Sequence, residues 1–139
     1  LLLEYYRKPF RPFDKKADII EIKDEDYGHW YRDFAENVND YIGKTVSIKG
    51  LVMRNKLINA KTEIVVGRQI MTCCADDIQY CGMACDWSAA KTLKTNNWVI
   101  VTAKLSVGNH KLYRSTGPYL TAIEVALSSK PEEEIATLY

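Results

Sequence analysis

KTVSIKGLVMR, residues 44–54, is where the pattern of the chain changes. Val46, Ile48, Gly50 and Val52 alternate with Ser47, Lys49 and Leu51, the period-two signature of a strand that buries mainly one face. Gly50 in its middle predicts a bulge or a strong bend, as a strand needs where it curls round a small barrel. The same pattern recurs downstream. EIVVGRQIMT (63–72) reads as a second strand bent at Gly67, residues 82–87 as a short third, and WVIVTAKLSV (98–107), dense in β-branched residues, as a fourth. Gly108-Asn109 is a turn signal that returns residues 111–114 as a hairpin arm, and YLTAIEVAL (119–127) is a last strand. Residues 55–61 read as loop, and residues 88–97 as a loop or single helical turn too polar for the core.

Upstream, DIIEIK (18–23) suits an edge strand. Trp30, Phe34, Val38, Tyr41 and Ile42 then recur at spacings of three and four, which predicts a helix of roughly 15 residues. Asp24 or Asp26 can cap its start, and Gly43 with Lys44 ends it. His29 is read as a surface residue. In residues 1–17, Pro9 and Pro12 forbid a regular helix, leaving an extended arm whose Tyr5, Tyr6, Phe10 and Phe13 could dock on the domain. Residues 129–139 carry Pro131 and an acidic run, and read as a solvated tail. One helix followed by five or six curved strands argues against a doubly wound α/β fold. The expectation is a mainly β domain over residues 18–128, a β-barrel of the oligonucleotide/oligosaccharide-binding (OB) type with one N-terminal α-helix. The alternative is an open α+β sheet.

A chain of 139 residues is the size of one ordinary domain and buries enough surface to fold without staples. Nineteen Lys and Arg against 18 Asp and Glu leave a formal charge of +1, so no global field draws the protein to nucleic acid or an anionic membrane. No apolar run approaches the roughly 20 residues that span a bilayer. The opening LLLEYYRKPF lacks Met and a basic region ahead of its leucines, so it reads as a piece cut downstream of a signal peptide or membrane anchor, or as an arbitrary start.

GRQIMTCCADDIQYCGMACDW (67–87) holds every cysteine: Cys73, Cys74, Cys81 and Cys85. Three readings stand side by side. The thiols could close a tetrahedral zinc or copper site at about 2.3 Å per Zn–S bond, with Asp76 or Asp77 as a hard ligand. Adjacent residues on a strand point to opposite faces, so Cys73 and Cys74 can share an ion only if the strand breaks between them. They could instead bridge, Cys73 or Cys74 to Cys81 or Cys85, in an oxidising compartment. Or they are reduced and packed as small hydrophobes. Asp76 and Asp77 suit a turn better than acid/base catalysis. Arg68 can pair with Asp76 or hold an anionic ligand.

TVSIKGLV, then GRQIMTCCADDIQYCGM, then NNWVIVTAKL together resemble the C-terminal domain of the YcgQ-like family of uncharacterised bacterial permease-associated membrane proteins. The shared pattern falls on Gly43, Lys44, Val46 and Gly50, then Arg68, Cys73, Cys74, Ala75, Asp76, Gln79 and Gly82, then Trp98, Val99 and Val101. The CCAD run after an arginine-bearing strand is its specific part. The chain departs from it with Asp77 in place of alanine, Cys81 in place of an apolar residue, an added Cys85, and Ala103 in place of glycine. The resemblance implies an extracytoplasmic domain, membrane-associated or membrane-anchored, that works with a permease. The functional expectation is a non-enzymatic binding or assembly module, with a metal ion or small ligand held at the Cys-Asp turn. Two alternatives are a thiol-dependent redox protein and a single-stranded nucleic-acid binder using Lys49, Arg54, Lys56 and Arg68 with Trp87 and Trp98. Near-zero net charge and the implied location weigh against nucleic acid.

Overall fold

The computed structural model describes residues 17–138, so the arm expected over residues 1–17 lies, but for its last residue, outside the described residues. The strands are β1 (Ile19–Glu21), β2 (Thr45–Met53), β3 (Glu63–Met71), β4 (Gln79–Asp86), β5 (Trp98–His110), β6 (Ser115–Leu127) and β7 (Ile135–Thr137), with one α-helix, α1 (Tyr27–Glu36). They join in the order β1-β2-β5-β6-β4-β3-β7, and a further β2–β3 pairing closes β2, β5, β6, β4 and β3 into a ring. Neighbours in the ring are antiparallel except β4 and β6, which run parallel through Ala84↔Tyr119. A mainly β, OB-like ring with one N-terminal helix is therefore what the chain forms; the open sheet is not.

The ring closes because β2 serves two partners. It pairs with β5 from Thr45 to Leu51 and with β3 from Leu51 to Met53, so the ladder changes hands at Gly50-Leu51, where the sequence placed a bend. Strict alternation then fills the inside: Val46, Ile48 and Val52 of β2 face Val99, Val101 and Leu105 of β5 in one core, all 0–1% exposed. β1 lies parallel on the first residues of β2, and β7 lies parallel on the last residues of β3.

α1 is shorter than expected. Asn37, whose side chain donates to Asp33 Oδ1 at 2.8 Å, leaves helical backbone, and residues 38–40 form a separate 3-10 turn. Tyr41 on that turn still reaches the helix: its ring meets Phe34 edge-on at 4.8 Å and Trp30 at 5.9 Å. Ile42 is left exposed, while Gly43 ends the segment at φ +83°. Neither Asp24 nor Asp26 caps the helix through its side chain.

Four other expectations need correction, and each has a local cause. Residues 135–137 are not solvated tail but β7, with Ala136 only 4% exposed; the acidic run Glu132, Glu133 and Glu134 does face solvent as expected. β7 packs on α1 so closely that a Cβ on Gly28 would stand 2.8 Å from the Thr137 carbonyl oxygen. His29, beside that contact, is buried rather than a surface residue. Gly108-Asn109 is not the hairpin turn, for it pairs with Gly117 and Thr116 inside the β5–β6 ladder. The chain reverses at Lys111–Tyr113, where His110 Nδ1 accepts the Leu112 amide at 3.0 Å and Arg114 takes φ +59°. The segment after β4 does reach the core, through Ala90 and Leu93, because Arg54 Nη1 donates to the Ala90 carbonyl at 2.7 Å and draws that loop inward.

Candidate functional site

β3 stops at Met71, and a 3-10 turn over Ala75–Asp77 carries the chain into β4. The turn is organised by the Asp77 carboxylate. It accepts the amides of Thr72 and Cys73, each at 2.9 Å, the Thr72 hydroxyl at 2.5 Å and the Cys73 thiol at 2.9 Å. Donation from Cys73 and Thr72 holds Asp77 well below the usual carboxylate range. The same bond acts oppositely on its donor: the Cys73 thiol, anchored to Asp77 and next to Cys74, is pushed up to about 12. Asp77 thus has the turn-forming role that its place after a strand predicts.

Because the strand has already ended, the two adjacent cysteines need not point apart. Cys73 Sγ and Cys74 Sγ lie 3.7 Å from each other, far beyond the roughly 2.05 Å of a disulfide. With a carboxylate oxygen of Asp77 they form a set of three ligand atoms all within 4.8 Å of one another, at an exposed rim. Cys81 and Cys85 do not join that set. Cys85 is fully buried opposite Ile64, and burial, with Asp86 adding to it, pushes its thiol up to about 12. Cys81 is half-buried opposite Arg68 and lines a cleft of about 370 Å³ between α1 and the ends of β3 and β4, which Asp77 also borders. Asp76 is exposed on the turn, outside the ligand set.

Arg68 is a structural cation. Its side chain is 1% exposed, donates to Asp24 Oδ1 and to the Glu133 carbonyl, both at 2.8 Å, and lies 5.4 Å over the Trp98 ring. Its acidic partner is Asp24, 44 positions upstream, and not Asp76. A cleft of about 590 Å³ opens beside this pair and is walled by Asp24, Glu25, Glu132 and Glu133, with none of the cysteines.

Sequence reasoning did not single out Glu63, His110 and Tyr119. Tyr119 donates to Glu63 Oε2 at 2.7 Å, and His110 Nε2 stands 3.2 Å from Glu63 Oε1. The three come from three strands, and only the strand register brings them together.

The thiol–carboxylate bond gives a direct prediction. In a Cys74→Ser background, Asp77→Asn should let the Cys73 thiol fall toward its ordinary value of 9.0. Iodoacetamide alkylation at pH 8 should then quicken at least about tenfold, since the thiolate is the nucleophile. An unchanged rate would show that Asp77 does not hold the Cys73 proton.

Residues 4–136 match the DUF1980 C-terminal domain. The chain belongs to that family. The resemblance drawn from the CCAD run is borne out by this match and by the UPF0703 protein YcgQ of Bacillus subtilis (strain 168), 21% identical over 124 residues. That alignment takes in 89% of this chain but only 43% of the relative, so the chain spans less than half of YcgQ's length. Among solved structures, the DUF1980 domain is similar to an OBody, NL8, bound to hen egg-white lysozyme, with 11% identity and a TM-score of 0.42 over 65% of this chain and 100% of the other. It is also similar to the aspartyl tRNA synthetase of Entamoeba histolytica, with 8% identity and a TM-score of 0.42 over 84% of this chain and 26% of that one. Likenesses of that grade assign no function to the DUF1980 domain. No helix among its described residues is long and apolar enough to cross a membrane.

Proposed function

We propose that this DUF1980 domain is a non-enzymatic binding module that takes a divalent, thiol-seeking cation, zinc above all, on Cys73, Cys74 and Asp77. One observation carries the reading. Two thiolates on a tetrahedral ion with bonds of about 2.3 Å stand about 3.8 Å apart, whereas a linear arrangement needs about 4.6 Å. The Cys73–Cys74 separation of 3.7 Å matches the tetrahedral bite, which favours zinc over two-coordinate copper. Asp77 supplies the hard third donor, and the exposed rim leaves a fourth position to water or to a partner's ligand. The family resemblance supports a setting outside the cytoplasmic membrane, beside a permease.

Titration of metal-free protein with cobalt(II), followed by competition with zinc, should give one ion per chain with thiolate-to-cobalt absorption. Cys73→Ser and Cys74→Ser should each weaken binding by about 100-fold or more, and Asp77→Ala by about tenfold or more. Cys85→Ser, buried away from the turn, should leave the stoichiometry alone. Failure to bind one equivalent, or wild-type affinity in Cys73→Ser, overturns the metal reading. The membrane setting has its own test: full-length protein solubilised from membranes should copurify with a multi-span permease, and copurification with none removes that part.

A further inference from the structure

The loop joining β2 to β3 (residues 54–62) and the turn joining β5 to β6 (residues 111–114) border one cleft of about 480 Å³, with Lys56, Leu57, Asn59, Asn109 and Lys111 in its wall. A smaller recess of about 190 Å³ lies along the same two loops, where Asn55 and Tyr113 meet Tyr80 of β4 and Tyr31 of α1. Counting the five ring strands in chain order, these are the connections between the first and second and between the fourth and fifth strands, where OB-type folds hold oligosaccharides and oligonucleotides. We propose that this groove binds a short acidic saccharide, its carboxylate or phosphate on Lys56 and Lys111 and a sugar ring against the tyrosines. The proposal is independent of the cysteine turn.

Charge is the first argument. Glu63 is the one acid in the wall, and it is already spent: its carboxylate takes the Asn59 amide at 2.8 Å, Tyr119 Oη at 2.7 Å and His110 Nε2 at 3.2 and 3.3 Å. Burial alone would raise its pKa, but these bonds outweigh it and hold Glu63 below the ordinary range, so the carboxylate stays occupied by its own donors. Lys56 and Lys111, both exposed, then set the local sign, which suits an anion.

Rigidity is the second. Asn55 Oδ1 accepts the Leu57 amide at 2.8 Å, Asn59 Oδ1 accepts that of Lys61 at 3.0 Å, and His110 Nδ1 fixes the facing turn through Leu112. A wall held in place by its own side chains loses little freedom when a ligand arrives.

The aromatic lining is the third. The Tyr80 hydroxyl donates to the Leu51 carbonyl at 2.7 Å, and that of Tyr113 donates to the Pro118 carbonyl at 2.6 Å while accepting the Ala84 amide at 2.9 Å. With the hydroxyls taken, what these residues offer is ring surface, a match for the C–H face of a sugar. Nucleic acid fits less well. Arg54 is bound to the Ala90 and Leu93 carbonyls and Arg68 to Asp24, so of the four cations the sequence offered only Lys56 reaches this cleft, where Lys111 joins it. Single strands need several phosphate contacts along a basic track.

Amide chemical-shift mapping on the intact domain tests the idea with four probes: trigalacturonate, its methyl ester, a phosphorylated trisaccharide and a dT hexamer. The expected result is shifts confined to residues 55–62, 80–82 and 109–113 with one or both acidic saccharides, the stronger of the two naming the anion. The methyl ester, and the double variant Lys56→Ala/Lys111→Ala, should each bind at least about tenfold more weakly, a loss of about 1.4 kcal/mol. Both lysines are exposed, so the variant keeps its fold. No shift in these residues at millimolar saccharide, equal binding by the double variant, or tighter binding by the dT hexamer overturns the proposal.

Discussion

Gly67→Ala is expected to strip the domain of a large part of its stability. Gly67 faces Gly82 across β3–β4 and Leu51 across β2–β3, at the point where the ring closes. A Cβ there would stand 2.2 Å from the Cys81 carbonyl oxygen and 2.4 Å from the Gly82 Cα. Both are backbone atoms in a paired ladder, so no rotamer change relieves the overlap; the strands must part. Overpacking on that scale costs about 3–5 kcal/mol, against a total stability of about 5–15 kcal/mol for a typical domain. Urea denaturation followed by far-UV circular dichroism measures it, and a loss under 1 kcal/mol would contradict the close approach.

Arg68→Ala should be the next most damaging change. The guanidinium ties the turn after β1, through Asp24, to the segment before β7, through the Glu133 carbonyl. Its removal unties both and empties the space of a fully buried side chain, with an expected loss of about 3–5 kcal/mol. Arg68→Lys keeps the charge but not the fork that serves two acceptors at once, and should recover less than half of the loss. Asp24→Asn should cost far less, about 1 kcal/mol, because that carboxylate is 44% exposed and water already screens it. An Arg68→Ala protein within 1 kcal/mol of the parent would mean the pairing is incidental. A rank order with Asp24→Asn worse than Arg68→Ala would place the energy on the acid instead.

The ring was legible because its signals are local. Alternation in residues 45–53 and 98–105 reports which face is buried, and glycines 50 and 67 mark where the backbone must crowd a neighbour. The ends of elements were harder. Gly108-Asn109 has turn composition yet stays in the ladder, since the His110 ring bonded to Leu112 decides the reversal three residues on. Ile135-Ala136-Thr137 is too short to announce a strand and becomes one only because β3 offers it an unpaired edge. The same holds for the site. Cys73, Cys74 and Asp77 lie within five positions, so their grouping could be anticipated, together with the end of strand it requires. Cys81 and Cys85 could not be sorted from them, because separation there depends on the path of β4. The Arg68–Asp24 pair and the Glu63–His110–Tyr119 cluster join residues 44 to 56 positions apart, a distance over which composition and spacing say nothing.

β1 and β7 bear on how the chain matures as it is synthesised. Both strands lie in the gap left where β2 and β3 diverge, β1 made before the five ring strands and β7 after them. A nascent chain can assemble the five ring strands once Leu127 has emerged from the ribosome, but the seam between them stays unsealed, with Arg68 lacking its carbonyl acceptor, until Thr137 follows. Emergence of residues 128–137 is therefore the step that lets β7 cover the end of β3 and gives Arg68 its second acceptor.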